Sequence, residues 1–597
     1  MFHLRFKQRT FRLLMGIFFS WLLLWGRLFW IQIASEEHFG PHDVDLTFHA
    51  VQQRKVGAVF DSGRGDITDR NGVPLTGEIK HVIYLFPKIE DENKQDRDLN
   101  LRIKVFEKLT GTSYGSISKM IDKAVSPIPL TKEDGSLFTI NDKVKSEINK
   151  LHIPGIVSIS VIDRYQFNGM ARHLIGYIGQ NPELVKRKYG AEIIQGWITP
   201  DTPVGVAGLE YSFQPFLKGM GSSSLSYFVD GQGRPLFGLD GGIKKSSNPF
   251  YPLSVVTTID SVIQRVVEKE MDRLGITDGA AVILDASTRE VLAMASRPNF
   301  NPNQVDPKSD TWQNKGIKQT SPGSVFKIVV AAAALDTGTF SLNDRFFCNG
   351  SYGKYNFTCW KKEGHGWLTL AEAFAQSCNV TFAQVAYRLG GKTIEEYAEK
   401  LGVTTPVGWE DADFFHKGEF TQLAGEEAGQ IFADSTPKDD EGVLIQTAIG
   451  QRDVQITPLQ AANMVASILD RGRKEEVRVV KEIRYQNGVS FYTFSGKKIK
   501  GESITPYTAY QLQKMMQLVV EEGTATSLKN SLISVAGKTG TAQVFIRNRE
   551  RNNQWFVGYG PTEKPKYVMA VVAKNRNPQS SNAAVHLFHR IMDEIAR

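Results

Sequence analysis

Residues 320–335 read TSPGSVFKIVVAAAAL, in which Ser324 and Lys327 stand three apart at the start of a long apolar run. The Ser-Pro-Gly segment is typical of a helix start, and the alanine-rich run that follows predicts a buried helix. Residues three apart share one face of a helix, so the two side chains can meet. Burial lowers the pKa of a lysine, which lets it accept a serine proton. The segment therefore predicts a nucleophile with an adjacent base.

The Ser-x-x-Lys pattern is not informative by itself, because it recurs elsewhere in the chain. Two other copies are Ser116/Lys119 and Ser495/Lys498. Their neighbours are polar, and no apolar helix follows either copy. We interpret those two pairs as solvent-exposed and select Ser324 by its context.

A second polar motif, Ser377-Cys378-Asn379, lies between two short amphipathic stretches at 368–376 and 380–389. Polar side chains at a break between apolar helices are well placed to line a cleft. Ser377 could pass a proton between Lys327 and a leaving amine, and Asn379 could hold Lys327 or a substrate amide. The alternative is that both residues are ordinary helix caps.

A third motif, Lys538-Thr539-Gly540-Thr541, follows an apolar segment and is predicted to lie on a strand. A cation and two hydroxyls along a strand can bind a substrate carboxylate, and Gly540 permits close approach of a substrate backbone. The strand's N–H could form an oxyanion hole together with that of Ser324. The alternative is a hairpin turn.

The N-terminus carries a basic cluster followed by 21 largely apolar residues, 13–33. That length is enough to span a bilayer, and Arg27 lies near one end, where its stem can reach the interface. No small-x-small cleavage site follows, so we expect an uncleaved anchor rather than a signal peptide. The upstream basic residues predict a cytoplasmic N-terminus, with the rest of the chain outside the membrane. They are Arg5, Lys7, Arg9 and Arg12.

Composition limits the remaining classes of function. The 597 residues carry a net charge of +7, spread over 71 basic and 64 acidic residues, with no basic and aromatic stripe for nucleic acid. The length predicts at least two domains. Cys348 and Cys359 are predicted to form a disulfide or to stay free thiols. A metal site with His365 is less favoured, because only three ligands lie near one another in a spacing that fits no zinc pattern.

The three motifs appear in order, separated by 53 residues (377 − 324) and 161 residues (538 − 377). With them the chain resembles the penicillin-binding transpeptidase and serine β-lactamase superfamily, which carries Ser-x-x-Lys, Ser-x-Asn and Lys-Thr-Gly. Upstream segments resemble the pedestal of class B penicillin-binding proteins: 64–72 (RGDITDRNG), 172–179 (RHLIGYIG) and 208–210 (GLE).

The resemblance implies an α+β chain in four parts. These are a cytoplasmic tail at 1–12, a transmembrane anchor at 13–33, an elongated mixed pedestal at 34–249 and a transpeptidase domain at 250–597. The last part is expected to have an antiparallel sheet flanked by helices, with a helical subdomain. The implied catalytic residues are Ser324, Lys327, Ser377, Asn379 and Lys538; the implied substrate-binding residues are Thr539, Gly540 and Thr541. No metal and no cofactor are expected.

The implied function is a peptidoglycan D,D-transpeptidase that crosslinks stem peptides through acyl-Ser324, with a possible carboxypeptidase side activity. Expected partners are stem peptides, β-lactams, the membrane, a separate glycan polymerase and other wall-synthesis proteins. A glycosyltransferase domain is not expected, because pedestal motifs fill the region where it would stand. Two alternatives are a β-lactamase, which needs neither pedestal nor anchor, and a β-lactam sensor or non-catalytic scaffold.

Overall fold

A computed structural model describes most of the chain. The described residues are 2–34, 55–61, 63–86, 97–124, 127–132, 137–153, 155–165, 169–195, 198–219, 223–228, 243–244, 248, 250–353, 355, 357–416 and 418–597. Residue 249, where we expected the pedestal to end, lies outside them.

The helices, in chain order, are α1 (Phe2–Phe29), α2 (Arg97–Thr110), α3 (Tyr114–Lys123), α4 (Asp142–Lys150), α5 (Arg172–Ile175), α6 (Pro182–Lys188), α7 (Gly190–Ile194), α8 (Gly208–Ser212), α9 (Gln214–Leu217), α10 (Ser261–Arg273), α11 (Lys327–Asp336), α12 (Leu370–Ala375), α13 (Asn379–Leu389), α14 (Gly391–Lys400), α15 (Glu441–Thr447), α16 (Pro458–Leu469), α17 (Pro506–Glu521) and α18 (Ala583–Ala596).

The strands are β1 (Lys55–Asp61), β2 (Ile67–Thr68), β3 (Glu78–Leu85), β4 (Ile128–Pro129), β5 (Thr139–Ile140), β6 (Ile156–Asp163), β7 (Ile178–Gly179), β8 (Val204–Gly205), β9 (Ser223–Phe228), β10 (Ile243–Lys244), β11 (Ser254–Thr257), β12 (Gly279–Asp285), β13 (Val291–Arg297), β14 (Arg345–Cys348), β15 (Ser351–Tyr352), β16 (Phe357–Thr358), β17 (Gly366–Thr369), β18 (Glu410–Asp411), β19 (Phe420–Thr421), β20 (Val480–Arg484), β21 (Ser490–Thr493), β22 (Ala536–Ile546), β23 (Arg549–Gly560) and β24 (Tyr567–Arg576).

The N-terminal helix is consistent with the predicted single-pass anchor. Within it and the turn that follows, Thr10–Ile33 is long and apolar enough to cross a membrane, and none of this segment is buried in the protein. Its apolar side chains are therefore available to lipid tails, as a membrane-spanning helix requires.

The chain divides into two compact units. One comprises Met1–Gly63, Ile79–Ile162 and Gly221–Ser247; the other comprises Arg64–Glu78, Asp163–Met220 and Asn248–Arg597. In the first unit, β3 pairs with β4, β5 and β6, and α2, α3 and α4 supply side chains to a small core that includes Phe106, Ile117 and Ile148. The second unit contains all the predicted site residues. The predicted domain bounds stay a prediction.

A five-stranded antiparallel sheet forms the centre of the second unit, in the order β13-β12-β24-β23-β22. Consecutive residues of β12 and β13 are buried, so both faces of the sheet are covered. Helices α10, α16, α17 and α18 contact its strands. This confirms the predicted α+β class. Among the strands of the described residues, β22 pairs only with β23, so it lies at one edge of the sheet.

Candidate active site

The predicted nucleophile lies in a tight turn at the base of a buried helix. Gly323–Phe326 form a 3-10 turn, and α11 continues from Lys327 with every residue to Ala334 buried. Side chains three apart eclipse in a 3-10 turn, which puts Ser324 and Lys327 on one side. Gly323 has φ 55°, and a Cβ there would overlap the carbonyl oxygen of Thr541. Glycine thus lets the turn lie directly against β22.

Lys327 is fully buried, and its ammonium group bonds to the second motif. Its Nζ donates to the Ser377 carbonyl at 2.7 Å and to Asn379 Oδ1 at 2.8 Å, with Ser377 Oγ at 3.4 Å. Burial lowers the pKa of Lys327 to about 7. Among the hydrogen bonds of the described residues, none joins Lys327 to Ser324. A catalytic bond of this kind often tightens only when substrate binds.

Ser377 lies between two lysines. Lys538 Nζ donates to Ser377 Oγ at 3.0 Å and to the carbonyl of Thr539 at 3.1 Å. Burial, with repulsion from Lys327, holds the pKa of Lys538 well below its ordinary value. Ser377 itself has φ 52°, an uncommon conformation for a residue with a side chain, of the kind that clusters at functional sites. One hydroxyl is therefore poised to exchange protons between two buried amines.

The third motif lies on the edge strand β22, as predicted, and not in a hairpin turn. A Cβ on Gly540 would lie 2.6 Å from the carbonyl oxygen of Pro322 and 2.9 Å from Val325. The strand and the nucleophile turn therefore pack backbone to backbone. Thr539 Oγ1 shares a 2.6 Å hydrogen bond with Thr524 Oγ1, which fixes that hydroxyl beside the cleft.

These motifs meet at one cavity of about 860 Å³. Ser324, Ser377, Asn379 and the Thr539–Thr541 segment all line it. Among the described residues of its wall there is no carboxylate and no cationic side chain, and six are carboxamides: Asn379, Gln446, Gln451, Gln543, Asn552 and Asn582. A second cavity of about 490 Å³, beside His173 and Trp312, has none of the predicted site residues in its wall.

The two Ser-x-x-Lys pairs that were set aside do not line the cavity. Ser116 and Lys119 are exposed on α3, and Ser495 and Lys498 are exposed beyond β21. This agrees with their interpretation as solvent-exposed pairs.

A group of four side chains behind the second motif was missed by the sequence reasoning. The sulfurs of Cys348, Cys359 and Cys378 and a ring nitrogen of His365 lie within 4.8 Å of one another. All three cysteines are free thiols, as one of the two predicted alternatives had it. The prediction against a metal counted three ligands, but the fold supplies Cys378 as a fourth. A cysteine at the centre of the Ser-x-Asn motif was the signal that could have pointed to it.

The neighbouring thiols of Cys359 and Cys378 have pKa values that are shifted in opposite directions. Cys359 Sγ lies 3.9 Å from Cys378 Sγ and 3.5 Å from His365 Nδ1, and it accepts from the backbone N–H of Asn379 at 3.4 Å. A hydrogen bond shared with Cys378, helped by backbone N–H groups, lowers the pKa of Cys359, while the same hydrogen bond and burial raise the pKa of Cys378. Burial lowers the pKa of His365. The two lowered pKa values favour a thiolate and a neutral imidazole, the forms that ligate metals.

Two of the pedestal-like motifs meet at a buried carboxylate. Glu210 is fully buried, and Arg64 and Arg164 each donate an Nε–H to it at 2.7 Å. Burial alone would raise the pKa of Glu210, but the two guanidinium groups outweigh it and the pKa lies below its ordinary value. The carboxylate therefore fastens two segments that are 100 residues apart in the chain (164 − 64).

Comparison with known proteins gives matches along the whole chain. Residues 279–593 match the family model of the penicillin-binding protein transpeptidase domain, and residues 60–245 match the penicillin-binding protein dimerisation domain. The chain is similar to stage V sporulation protein D of Bacillus subtilis, at 27% identity over 95% of this chain and 82% of that protein. It is also similar to the peptidoglycan D,D-transpeptidase MrdA of Haemophilus influenzae, at 25% identity over 98% and 91%.

A solved structure has the same fold over nearly the full length. It comes from a study of the structural coordination of polymerization and crosslinking by a peptidoglycan synthase complex. The TM-score is 0.68 at 23% identity, covering 98% of this chain and 97% of the other.

Proposed function

The chain belongs to the class B penicillin-binding proteins, and we propose that this peptidoglycan D,D-transpeptidase reacts through Ser324. One observation carries the assignment. Ser324 opens onto the cavity directly in front of two buried lysines that share the Ser377 hydroxyl. Among the described residues, no carboxylate accepts a hydrogen bond from either lysine, so burial is free to keep a neutral amine available as base.

Acylation begins when neutral Lys327 takes the proton of Ser324 Oγ. The oxygen attacks the carbonyl carbon of the penultimate D-alanine, and the backbone N–H groups of Ser324 and Thr541 stabilise the oxyanion. The C–N bond then breaks, and the leaving D-alanine amine receives its proton through Ser377. In the second half, an acceptor amine attacks the acyl carbon, passes its proton back by the same route, and Ser324 is released.

The donor peptide binds along β22. This strand is the edge of the sheet, so its outer backbone groups are available for an added strand. Thr539 and Thr541 place their hydroxyls for the donor's terminal carboxylate, and Lys538 supplies positive potential beneath them. Gly540 has no side chain to block the approach.

The assignment is tested by labelling the purified full-length chain with a fluorescent penicillin. We expect a long-lived adduct that is absent in Ser324→Ala and in Lys327→Ala, with circular dichroism unchanged in both. Labelling that persists in Ser324→Ala would refute Ser324 as the nucleophile. Labelling that persists in Lys327→Ala would refute Lys327 as the base. Rapid loss of label would favour a β-lactamase. A stable adduct without transfer to an amine acceptor would favour a sensor.

We further propose that the cysteine and histidine group binds a structural zinc ion. Tetrahedral zinc with thiolate and imidazole ligands separates its sulfurs by about 3.8 Å and sulfur from nitrogen by about 3.5 Å. Cys359 lies 3.9 Å from Cys378 and 3.5 Å from His365. Such an ion would tie the loop of Cys348, Cys359 and His365 to the Ser377–Asn379 motif. Elemental analysis of the full-length chain should give one zinc per molecule, falling in Cys348→Ser. A zinc-free chain with wild-type stability would exclude the site.

The catalytic unit works outside the membrane, with the N-terminus in the cytoplasm and a separate polymerase supplying glycan strands. The basic residues before the apolar helix support this orientation. External protease on intact spheroplasts should then remove the catalytic unit and leave α1. Complete protection of the chain would reverse the orientation. Crosslinking in membranes should capture a glycan polymerase, and capture of the chain alone would argue against that partner.

A further inference from the structure

Part of the wall of the catalytic cavity lies outside β22, in a short segment whose described residues are 355 and 357–360. Tyr355, Thr358 and Trp360 line the cavity there, and Phe357–Thr358 form β16. This segment bonds to Asn379 of the second motif, whereas β22 packs on the nucleophile turn and reaches Ser377 through Lys538. Ser324 therefore opens onto a cavity whose lining includes a segment that a donor peptide along β22 does not use.

Trp360 is exposed and yet fixed. Its side chain is 57% exposed, but its Nε1–H donates to the Gln376 carbonyl at 3.0 Å. Its ring meets the His365 ring edge-on, with centroids 5.3 Å apart. Asn379 Nδ2 also donates to the Thr358 carbonyl at 3.3 Å, which ties the segment to the residue that holds Lys327. A large apolar surface held rigid at a cavity wall binds a ligand at little cost in conformational entropy.

The side chains that line the cavity suit an acceptor amine that must be neutral when it reaches the acyl carbon. An acceptor attacks the acyl carbon only as the free base, and a neighbouring carboxylate would stabilise its ammonium form. No acidic residue is among the described residues that line the cavity. Carboxamides such as Gln446 and Gln451 can accept from the amine without raising its pKa as a carboxylate would.

We propose that the described residues of this segment, 355 and 357–360, form the acceptor subsite, and that Trp360 determines specificity for an acceptor whose amine is carried on a methylene chain. The methylenes lie on the indole and the Tyr355 ring, while the amine reaches the acyl carbon on Ser324. This deepens the proposed transpeptidase function and rests on it. Trp360 acts on the second half-reaction, because the donor and penicillin bind along β22.

The test separates the two half-reactions in the detergent-solubilised full-length chain. The probes are a fluorescent penicillin for acylation, and a D-Ala-D-Ala peptide donor with a stem-peptide fragment bearing a side-chain amine for transfer. Trp360→Ala is expected to raise the acceptor KM by about tenfold, since an aromatic contact is lost. Acylation by penicillin should change by less than about twofold, and donor hydrolysis should increase relative to transfer. Trp360→Phe should restore most of the acceptor affinity.

Trp367→Ala is the matched control. Trp367 lies on β17, shortly after Trp360 in the chain, and is 61% exposed, but it packs on Phe347 and is not among the cavity residues. It should leave both half-reactions and the thermal midpoint unchanged. Equal losses of acylation and transfer in Trp360→Ala, or an unchanged acceptor KM, would overturn the subsite. Failure of the wild-type chain to be acylated would instead overturn the transpeptidase assignment on which the subsite rests.

Discussion

The pH dependence of acylation provides a quantitative test of Lys327 as the base. With its pKa lowered to about 7 by burial, the neutral form is the active one, so the rate rises as pH rises through that value. The neutral fraction goes from about 9% at pH 6 to about 91% at pH 8, a roughly tenfold rise, and then levels off. A lysine with an ordinary pKa would instead give a rise of about 100-fold over the same two units.

Asn379→Asp should displace this profile. The new carboxylate would stand where Asn379 Oδ1 now accepts from Lys327 Nζ at 2.8 Å. An opposite charge at this distance favours the ammonium form and raises the lysine pKa by about 1 to 3 units. If the pKa reaches about 9, the neutral fraction at pH 7 falls from about half to about 1%, and acylation slows about 50-fold. The loss should disappear near pH 10.

The assay is the second-order rate constant for a fluorescent penicillin between pH 5.5 and 10. Asn582→Asp is the control. Asn582 lines the same cavity but caps α18 by accepting from Ala584 and Val585, a role that aspartate fills equally well. Its inflection should stay near pH 7. A wild-type rate that keeps climbing about 30-fold between pH 8 and 9.5 would refute the lowered lysine pKa.

Three further predictions concern stability and the proposed metal. Glu210→Gln removes the buried charge that Arg64 and Arg164 share and leaves Arg164 only the half-exposed Asp66, so the free energy of unfolding should fall by about 3 to 5 kcal/mol in denaturant titration. Exposed Glu183→Gln should change it little, and equal stability of the two variants would contradict a stabilising role for the buried ion pairs. Gly540→Ala puts a methyl group 2.6 Å from the carbonyl oxygen of Pro322. Penicillin labelling should therefore be lost, and the free energy of unfolding should fall by about 1 to 3 kcal/mol. Gly190→Ala is the control, because a Cβ there meets nothing within 4 Å. A normally labelled Gly540→Ala chain would show that β22 can move away. A strong chelator should lower both the melting temperature and the acylation rate, and added zinc should restore them; an unaffected chain would argue against the metal.

The sequence predicted the catalytic helix for a local reason. An apolar run after Ser324 and Lys327 must be buried, and the structure buries every residue from Lys327 to Ala334. The same argument correctly set aside Ser116 and Ser495, whose neighbours are polar. The prediction differed in detail, because the serine lies in a 3-10 turn before the helix proper. A positive φ at Gly323 allows that turn.

The sequence did not predict what depends on long-range packing. Cys348 ends β14 and Cys378 lies between α12 and α13, and only the tertiary fold brings their sulfurs together with His365. The exposed position of Trp360 could not be predicted either, because its ring is held by a hydrogen bond to the Gln376 carbonyl and no sequence periodicity indicates such a contact. The roles of the predicted site residues stay predictions, although the structure brings their side chains to one cavity.

The glycines behind the nucleophile also limit how resistance to β-lactams can arise in this protein. Any side chain at Gly323 or Gly540 collides with main-chain atoms, so neither position is open to mutation under drug selection. The surface along β22, where both the donor peptide and penicillin are proposed to bind, therefore tolerates few substitutions at these two glycines. Variation that weakens inhibition while preserving growth has more room on the opposite side of the cleft, among exposed rings and carboxamides. That is where isolates selected on β-lactams should first accumulate changes.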